Sequence, residues 1–471
     1  MRKILRLKLP TDIASCHKLI LQQQAIINDL MRRLSDLEDK VNKNSKNSSK
    51  PPSSDGYQKK PAFSRRKGIV KRGGKPKHKG KTLELKTTPD LVVPLLPTHC
   101  SCGHALDKSQ AKLSERRQVF DLPQPKLLVT EYQKLVCNCT RCGLTVNGVF
   151  PEAVPSRVQY GSGVRSFTTL LNCAFAVPVK KIQQLFTDLF GYAINESTIS
   201  NNNIRCADLL EPIEQQIKTK LLACKVGHSD ESGVRVAGKL HWLHTFSSTL
   251  FTFFFIHAKR GRKALEDTMS LLPDFTGWLV HDCWSSYFRF TGCRHALCGA
   301  HLIRELTALQ EKNVVWAKWF ERYLFTLFEM TQKNDGVIPK SMQPKALALF
   351  DQIAQYADAI EPPPQKIEGK KGKPKATKGR NLLNRLVKHR EAVLAFAFHQ
   401  QVPFTNNLAE RDLRPIKTKQ KVSGCFRTKM GADNHARIYG YISSARKNNL
   451  NIFKELKSIF EGNPSAIFEG C

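Results

Sequence analysis

The spacing of apolar side chains changes several times along the chain, and each change predicts a different element. Near the start, apolar residues recur at alternating intervals of three and four, the a/d pattern of a coiled coil about four heptads long. This seam comprises Ile13, Cys16, Ile20, Gln23, Ile27, Leu30, Leu34, Leu37 and Val41. We therefore predict a coiled coil between protomers over residues 1–42. The alternative is an amphipathic helix that lies on the protein's own body.

A second helical pattern occupies residues 156–222. It breaks at Gly191, and a new helix start follows at Asn195, a residue type that often caps the first turn of a helix. Two helices joined by a tight turn resemble a helix-turn-helix, so we predict a helical DNA-binding segment here. Ordinary core helices would give the same pattern.

The pattern becomes strand-like from residue 225 onward. The predicted strands are KVGHSD (225–230), VRVAG (234–238), LHWLHTF (240–246), LFTFFFIHA (250–258) and GWLVHDC (277–283), with a helix at 263–272 before the last. Strands followed by a helix and another strand predict a mixed α/β sheet. Helical patterns then return, so we assign residues 223–420 to a core with a helical insertion at about 307–400, and residues 421–471 to a C-terminal helical segment. The chain as a whole is predicted to be multidomain α+β.

Charge narrows the choice of partner. Lysine and arginine total 75 against 40 aspartate and glutamate residues, a net charge of +35, which favours a polyanion such as nucleic acid. No apolar run approaches the roughly 20 residues needed to span a bilayer, and the first residues lack the apolar core of a secretory signal. We expect a cytoplasmic protein, associated with the nucleoid, with no membrane partner.

One basic segment has the composition of a linker. Residues 43–82 are rich in Lys, Ser and Gly and contain a single acid, Asp55, so they cannot bury a core. We predict a disordered linker that neutralises DNA phosphates without reading sequence. The predicted contacts in it are Lys71, Arg72, Lys75 and Lys77.

The 14 cysteines of a cytosolic chain are poor candidates for disulfides. Two close pairs, Cys100 with Cys102 and Cys139 with Cys142, lie in a proline-punctuated segment whose apolar runs, such as 120–136, suggest short strands. Four thiols in a module with little apolar mass predict a structural Zn²⁺ site and a zinc-ribbon-like fold over residues 83–155. His99 and Cys137 are possible substitute ligands.

Three carboxylates are candidate ligands for catalytic divalent cations. Asp230 and Asp282 each follow a predicted strand, and Glu410 begins a predicted helix. Oxygen ligands on a rigid frame, with room for water and phosphate, are what a pair of hard divalent cations requires. The basic residues after the glutamate suit a DNA backbone: Arg411, Arg414, Lys417 and Lys419.

At these residues the sequence resembles the DDE transposases of bacterial insertion sequences, most closely the insertion-sequence-66 family, over nearly the whole chain. The motifs are HSDES (228–232), LVHDCWSSY (279–287), CGAHLIREL (298–306), TNNLAERDLRP (405–415) and SGCFRTKMGADNHARIYGYISSARKNN (423–449). Ser232 stands where the family's usual motif has threonine, an exchange of one small hydroxyl for another.

The resemblance implies an RNase H-like catalytic core with a helical insertion, in which Asp230, Asp282 and Glu410 bind Mg²⁺ or Mn²⁺. It implies cleavage at the ends of an insertion sequence, followed by attack of the freed 3′-hydroxyl on target DNA. It assigns terminal-repeat recognition to the cysteine module. Double-stranded DNA, further copies of the chain and small accessory proteins of the element are the expected partners.

A dense run of potential ligands, Cys293, His295, Cys298 and His301, would by itself suggest zinc. Because its C-x-x-H followed by Arg304 matches a family motif beside the active site, we interpret it as positioning substrate or packing the catalytic face. We also weigh Glu231 against Asp230: adjacent strand residues point to opposite faces, so only one of the two faces the cleft. The resemblance favours Asp230.

Two other functions remain compatible with the sequence. A catalytically inactive DNA-binding protein derived from a transposase would explain the charge, the zinc module and the coiled coil, but not the three placed carboxylates. An RNase H-like nuclease with another substrate would share the core, and strand joining separates a transposase from it.

Overall fold

A computed structural model describes residues 12–44, 47–48, 83–364 and 376–464. Its strands are β1 (Val136–Asn138), β2 (Thr145–Asn147), β3 (Val226–Val236), β4 (Lys239–Ser247), β5 (Thr252–His257), β6 (Trp278–His281) and β7 (Arg294–Leu297). Its α-helices are α1 (Ile13–Asn42), α2 (Ser162–Thr169), α3 (Val179–Phe190), α4 (Glu196–Leu209), α5 (Glu211–Leu222), α6 (Arg262–Leu265), α7 (Gly299–Gln310), α8 (Val315–Lys333), α9 (Gln343–Ile360), α10 (Lys378–Lys388), α11 (Arg390–Phe398), α12 (Asn407–Ser423), α13 (Lys429–Lys447) and α14 (Ile452–Phe460). None of the described helices is long and apolar enough to cross a membrane.

The predicted N-terminal helix is confirmed as α1, a single helix of 30 residues. Asp12 caps it, because the Asp12 side chain accepts a hydrogen bond from the backbone N–H of Ser15 at 2.8 Å. Its apolar seam is uncovered: Ile27 is 51% exposed and Leu34 is 54% exposed. The pairing of this seam in a coiled coil remains a prediction.

The predicted mixed sheet is confirmed, with five strands in the order β5-β4-β3-β6-β7. Strands β3, β4 and β5 are antiparallel neighbours, whereas β6 and β7 run parallel to β3. The prediction of separate strands at 225–230 and 234–238 is wrong, since both belong to β3. The β4 strand pairs with β3 without a break from His228 to Val236, and this ladder carries β3 through the polar residues that suggested a gap.

The predicted helix at 263–272 is much shorter in the structure, where α6 ends at Leu265. The chain that follows is irregular, and it buries Leu271, Leu272 and Phe275 in the core. Its apolar residues therefore reflect burial rather than helical periodicity.

Two hydrophobic cores meet at the five-stranded sheet. On β6, Trp278 and Val280 belong to the core formed with the helices of the insertion, whereas Leu279 belongs to the other core. This division follows from the alternation of side chains along a strand. Strand β6 is thus packed on both faces, which holds its carboxyl end rigidly.

The helices before and after the sheet share one of these cores. Cys206 and Leu221, from α4 and α5, pack in the same cluster as Ile442 and Leu456, from α13 and α14. Helix α12 runs through residue 420, and residues 194–464 fall in one compact unit with 151–183 and α1. The domain bounds at 222/223 and 420/421 stay a prediction. The described residues 83–150 and 184–193 form the second unit.

The predicted turn before α4 is confirmed: Gly191 has φ +72°, and the Asn195 side chain accepts a hydrogen bond from Ser197 N–H at 3.2 Å. Ahead of it, the periodicity from Phe167 to Leu189 is not one helix. It is interrupted by a π-helical turn, Leu170–Ala174, and by Pro178 before α3 begins.

The cysteine segment is sparsely ordered by hydrogen bonds. Its strands are β1 and β2, an antiparallel pair in which Val136 lies opposite Asn147. The strand expected at 120–136 is absent from the described chain before Val136, and no described residue from 83 to 150 is buried. The described residues of this segment therefore offer no buried core for those apolar side chains to pack into.

Candidate active site

The two predicted aspartates lie at the same end of the sheet. Strands β3 and β6 pair in parallel up to His228 and Val280, and each aspartate lies two residues beyond that pair: Asp230 on β3 and Asp282 just after β6. The parallel pairing of β3 with β6 ends just before these residues, so the two aspartates lie beside each other, while β3 itself continues to Val236 in its pairing with β4. Asp282 is fixed locally, since its Oδ1 accepts a hydrogen bond from Trp284 N–H at 3.0 Å.

Glu410 is brought to this edge by α12, where it lies in the first turn. The helix start is tied to β3 by Asn406, whose Nδ2 donates to the carbonyl of Ser229 at 2.8 Å. The Asn406 Oδ1 is 2.9 Å from Nδ1 of His228. These two contacts, made by residues next to Asp230, position the glutamate relative to the first aspartate.

A buried ion pair fixes the same helix further along. Asp412 accepts hydrogen bonds from Lys447 Nζ at 2.6 Å and from Ser247 Oγ at 2.8 Å. Thr252 Oγ1 donates to the same carboxylate at 3.2 Å. Asp412 therefore joins α12 to β4, to β5 and to α13, and it is a structural residue that the sequence alone did not single out.

Burial and neighbouring carboxyl charges raise the pKa of Asp230 and of Glu410. Burial raises the pKa of Asp230 well above its ordinary value, and Glu231, Glu410 and Asp282 add to the rise through charge repulsion. Burial also raises the pKa of Asp282 and of Glu410, and Asp282 contributes to the latter. These acids are candidate ligands for a multivalent cation, whose charge would offset the repulsion at Asp230, although among the described residues their carboxylate oxygens do not all lie within 4.8 Å of one another.

The neighbouring acid Glu231 is already committed to other partners. Its Oε1 accepts hydrogen bonds from Arg260 Nε at 2.8 Å and Nη2 at 2.6 Å, and its Oε2 accepts one from the Tyr287 hydroxyl at 2.6 Å. Among the described residues, Asp230 accepts one hydrogen bond, from the backbone N–H of Glu231 at 2.9 Å. The choice of Asp230 over Glu231 fits this difference.

The basic side chains after Glu410 divide into two groups. Arg411, Arg414 and Lys417 are exposed on α12. Lys419 is buried, and its Nζ donates to the backbone carbonyl of Asn172 at 3.0 Å and to Asn172 Oδ1 at 3.2 Å. Lys419 therefore does not fit the predicted role of a phosphate contact. Lys71, Arg72, Lys75 and Lys77 lie outside the described residues.

The four predicted zinc thiols occur as two pairs. Each pair sits at a turn with a glycine of positive φ, Gly103 after Cys102 and Gly143 after Cys142. A hydrogen bond from Cys102 lowers the pKa of the Cys100 thiol, and Cys142 acts in the same way on Cys139. No three of these thiols lie within 4.8 Å of one another in the part of the chain that the structure describes.

The dense Cys/His run does not stay together in the fold. Cys293 donates to the carbonyl of Phe290 at 3.2 Å, and His295 Nδ1 lies 3.0 Å from His281 Nε2. Cys298 and His301 instead meet Glu410, with their ligand atoms within 4.8 Å of one another. Sequence spacing could not show this grouping, because Glu410 comes from a distant helix.

Comparison with family models places the chain among the transposases, proteins that act on DNA. The model described as Transposase IS66 family matches residues 157–434, more than half of the 471 residues, and the chain belongs to that family. The family predicted from the motifs is therefore confirmed. A second model, described as a family of unknown function, matches residues 8–84. A search of curated proteins gives no match to the chain.

Proposed function

We propose that the protein is a DDE-type transposase that cleaves DNA at the ends of an insertion sequence and joins the freed end to target DNA. The observation that carries this proposal is the convergence of Asp230, Asp282 and Glu410 at one sheet edge, with α12 tied to β3 through Asn406. The mixed strand order, with α12 following the helical insertion, supports an RNase H-like core.

The donor set fits Mg²⁺ or Mn²⁺. All three groups offer carboxylate oxygens, and Glu410 Oε1 is buried without a hydrogen-bond partner among the described residues. When bound there, such cations activate water or a 3′-hydroxyl and stabilise the leaving oxygen. The protein's own part is to hold the three carboxylates rigidly, and to keep Glu231 out of the ligand set through Arg260 and Tyr287.

The remaining elements are proposed to bind DNA and to assemble the complex. Arg411, Arg414 and Lys417 are exposed beside the acidic site, where they can contact the phosphate backbone. We propose that the cysteine module holds Zn²⁺ and recognises the terminal repeats, and that α1 pairs with a second copy. Paired element ends would then be held by one oligomer.

A strand-transfer assay tests the central proposal. Purified protein is incubated with Mg²⁺ or Mn²⁺ and with DNA carrying the element's own ends, beside Asp282→Asn and a matched control, Asp274→Asn, whose carboxyl is exposed. We expect joined products from the wild type and the control, and a loss of about a hundredfold or more in Asp282→Asn with DNA binding retained. Cleavage without joining would favour a nuclease. DNA binding without any cleavage would favour the non-catalytic DNA-binding protein.

A further inference from the structure

Three ligand atoms of different kinds meet where α7 and α12 begin. The Sγ of Cys298, an imidazole nitrogen of His301 and a carboxylate oxygen of Glu410 lie within 4.8 Å of one another. Cys298 immediately precedes α7 and His301 is in its first turn, a spacing of three residues that puts both side chains on one side of the helix. In the described ranges no other Cys, His, Asp or Glu residues form such a group.

Two atoms of this group are buried without a hydrogen-bond partner. They are Nδ1 of His301 and Oε1 of Glu410, for which the described residues supply none. The two atoms are 3.9 Å apart, too far for a hydrogen bond between them. Buried polar atoms nearly always have a partner. Two unpartnered ligand atoms that face each other therefore indicate that a further group binds between them.

Backbone hydrogen bonds around this group hold the start of α7 close to the start of α12. The N–H of Asn406 donates to Cys298 Sγ at 3.2 Å, and the N–H of Gly299 donates to the carbonyl of Phe404 at 2.8 Å. A Cβ on Gly299 would come within 2.2 Å of the Phe404 ring, so glycine is needed for this approach. An N–H directed at a cysteine sulfur also supports a thiolate ligand of a metal.

We propose that Cys298, His301 and Glu410 form a second cation site, specific for a thiophilic divalent cation such as Zn²⁺. Zinc binds cysteine sulfur, histidine nitrogen and carboxylate oxygen, and its open sites have three protein ligands, whereas Mg²⁺ does not favour the thiolate. Bond lengths to zinc are about 2.0–2.3 Å, so the three side chains draw together slightly on binding. Without the cation, Arg304 Nη2 lies 3.8 Å from the Glu410 carboxylate and partly neutralises it.

The shared glutamate makes this site antagonistic to the catalytic one. This consequence rests on the proposed function, in which Glu410 binds Mg²⁺ with Asp230 and Asp282. A Zn²⁺ ion held by Cys298 and His301 draws Glu410 away from those ligands. Zinc therefore inhibits DNA cleavage in a way that depends on a thiol outside the carboxylate triad.

Binding is measured first, without DNA. Full-length protein is titrated with Cd²⁺ and Co²⁺, whose bonds to thiolate give a charge-transfer absorption. Cys298→Ser and His301→Ala are compared with Cys293→Ser, which removes a nearby buried thiol outside the group. We expect the first two to bind one equivalent fewer than the wild type, whereas Cys293→Ser binds the same number. Equal stoichiometry and absorption in Cys298→Ser and the wild type would overturn the proposal.

Cleavage is measured second, with increasing Zn²⁺ at fixed Mg²⁺. Relative to each protein's own rate without zinc, we expect the inhibitory Zn²⁺ concentration to rise at least about tenfold in Cys298→Ser and to stay unchanged in Cys293→Ser. If the wild type never cleaves DNA, the proposed function fails, while the metal titration still decides the second site. If it cleaves and all variants share one zinc sensitivity, the antagonistic site is wrong and the proposed function stands.

Discussion

At the scale of single residues, the acidic site illustrates how burial raises the pKa of ordinary carboxyls and makes them candidates for binding a cation. Asp230 lies in a region where its charge is costly, because burial and three neighbouring acids all raise its pKa. Glu231, one residue away, has its charge compensated by Arg260 and accepts a hydrogen bond from Tyr287. Adjacent acids therefore have different surroundings: Asp230 is the one that we propose binds a cation, whereas Glu231 is held by Arg260 and Tyr287.

This difference predicts a pH-dependent stability. The folded-state pKa of Asp230 lies above its ordinary value of 3.8, so the folded protein binds the extra proton between those two values. The free energy of unfolding then falls as pH rises through the raised pKa. Below about pH 4, Asp230 is protonated in both the folded and the unfolded protein, so it does not make stability depend on pH there. In metal-free buffer, the unfolding temperature of Asp230→Asn should exceed that of the wild type by a margin that grows as the pH rises from 4 to 8.

The control for that experiment is Asp274→Asn, which removes an exposed carboxyl and should leave the pH profile unchanged. Saturating Mg²⁺ should reverse the order, because the wild type gains ligand-binding free energy that the asparagine variant cannot. Thermal unfolding from pH 4 to pH 8, with chelator and with Mg²⁺, measures both effects. An Asp230→Asn variant no more stable than the wild type in chelator at pH 7 would contradict the assignment.

At the scale of elements, α12 shows a helix with two distinct faces. Ala409, Leu413 and Ile416 are buried, and Lys419 continues that face at a spacing of three. Arg411, Arg414 and Lys417 lie on the exposed side. The helical spacing could have predicted that Lys419 points inward, whereas its positive charge alone suggested a contact with DNA.

The two faces predict different effects of removing a charge. For DNA binding, the double substitution Arg411→Ala with Arg414→Ala should lower the slope of log affinity against log salt by about 1.8, since each phosphate contact contributes about 0.9. Lys419→Met should leave the slope unchanged and lower the free energy of unfolding, because the Asn172 acceptors lose their donor. Fluorescence anisotropy over a range of salt concentrations measures the slope, and equal slopes for all three proteins would remove α12 from the DNA contacts.

The cysteine segment is the second element for which a prediction follows. Its described residues from 83 to 150 have no buried side chain, so a bound Zn²⁺ would supply folding free energy that packing does not. A chelator should therefore expose this segment to protease while residues of the five-stranded sheet stay protected. Mass spectrometry of the fragments identifies the cleaved region.

The matched variants separate this zinc site from other thiols. Cys100→Ser with Cys139→Ser should reproduce the protease sensitivity without a chelator. Cys224→Ser, which removes a half-buried thiol outside the segment, should not. Indifference of the segment to both chelator and double substitution would argue against structural zinc.

At the scale of the whole molecule, the net charge of +35 and the exposed apolar seam of α1 both predict binding to other molecules. The nine seam positions of α1 bury too little apolar surface to stabilise the helix unless a second helix covers them. A second copy of the chain supplies the same seam and so a matching surface.

Self-association is tested by placing charge in the seam. Ile27→Asp with Leu34→Asp should convert the assembly to a smaller species in sedimentation, because two carboxylates would be buried without partners. Gln22→Asp with Asn28→Asp adds the same charge outside the seam and should preserve the assembly. A wild type that sediments as a monomer at all concentrations would exclude the coiled coil between protomers.

Local features of the sequence determined much of this protein. The heptad spacing gave α1, the turn residues Gly191 and Asn195 marked the start of α4, and the strand-like segments before Asp230 and Asp282 marked two of the three candidate carboxylates. Each of these depends on residues close together in the chain. Their physical causes, side-chain periodicity and capping, are therefore visible in a single segment.

Only the tertiary structure decided the contacts between distant segments. Asn406 meets Ser229 across 177 residues, Lys419 meets Asn172 across 247, and Cys298 meets Glu410 from another helix. In the sequence these polar residues resemble surface positions, because their partners are chosen by how the helices pack on the sheet. A buried polar group is satisfied by whatever the fold places beside it, and that neighbour cannot be known from its own segment.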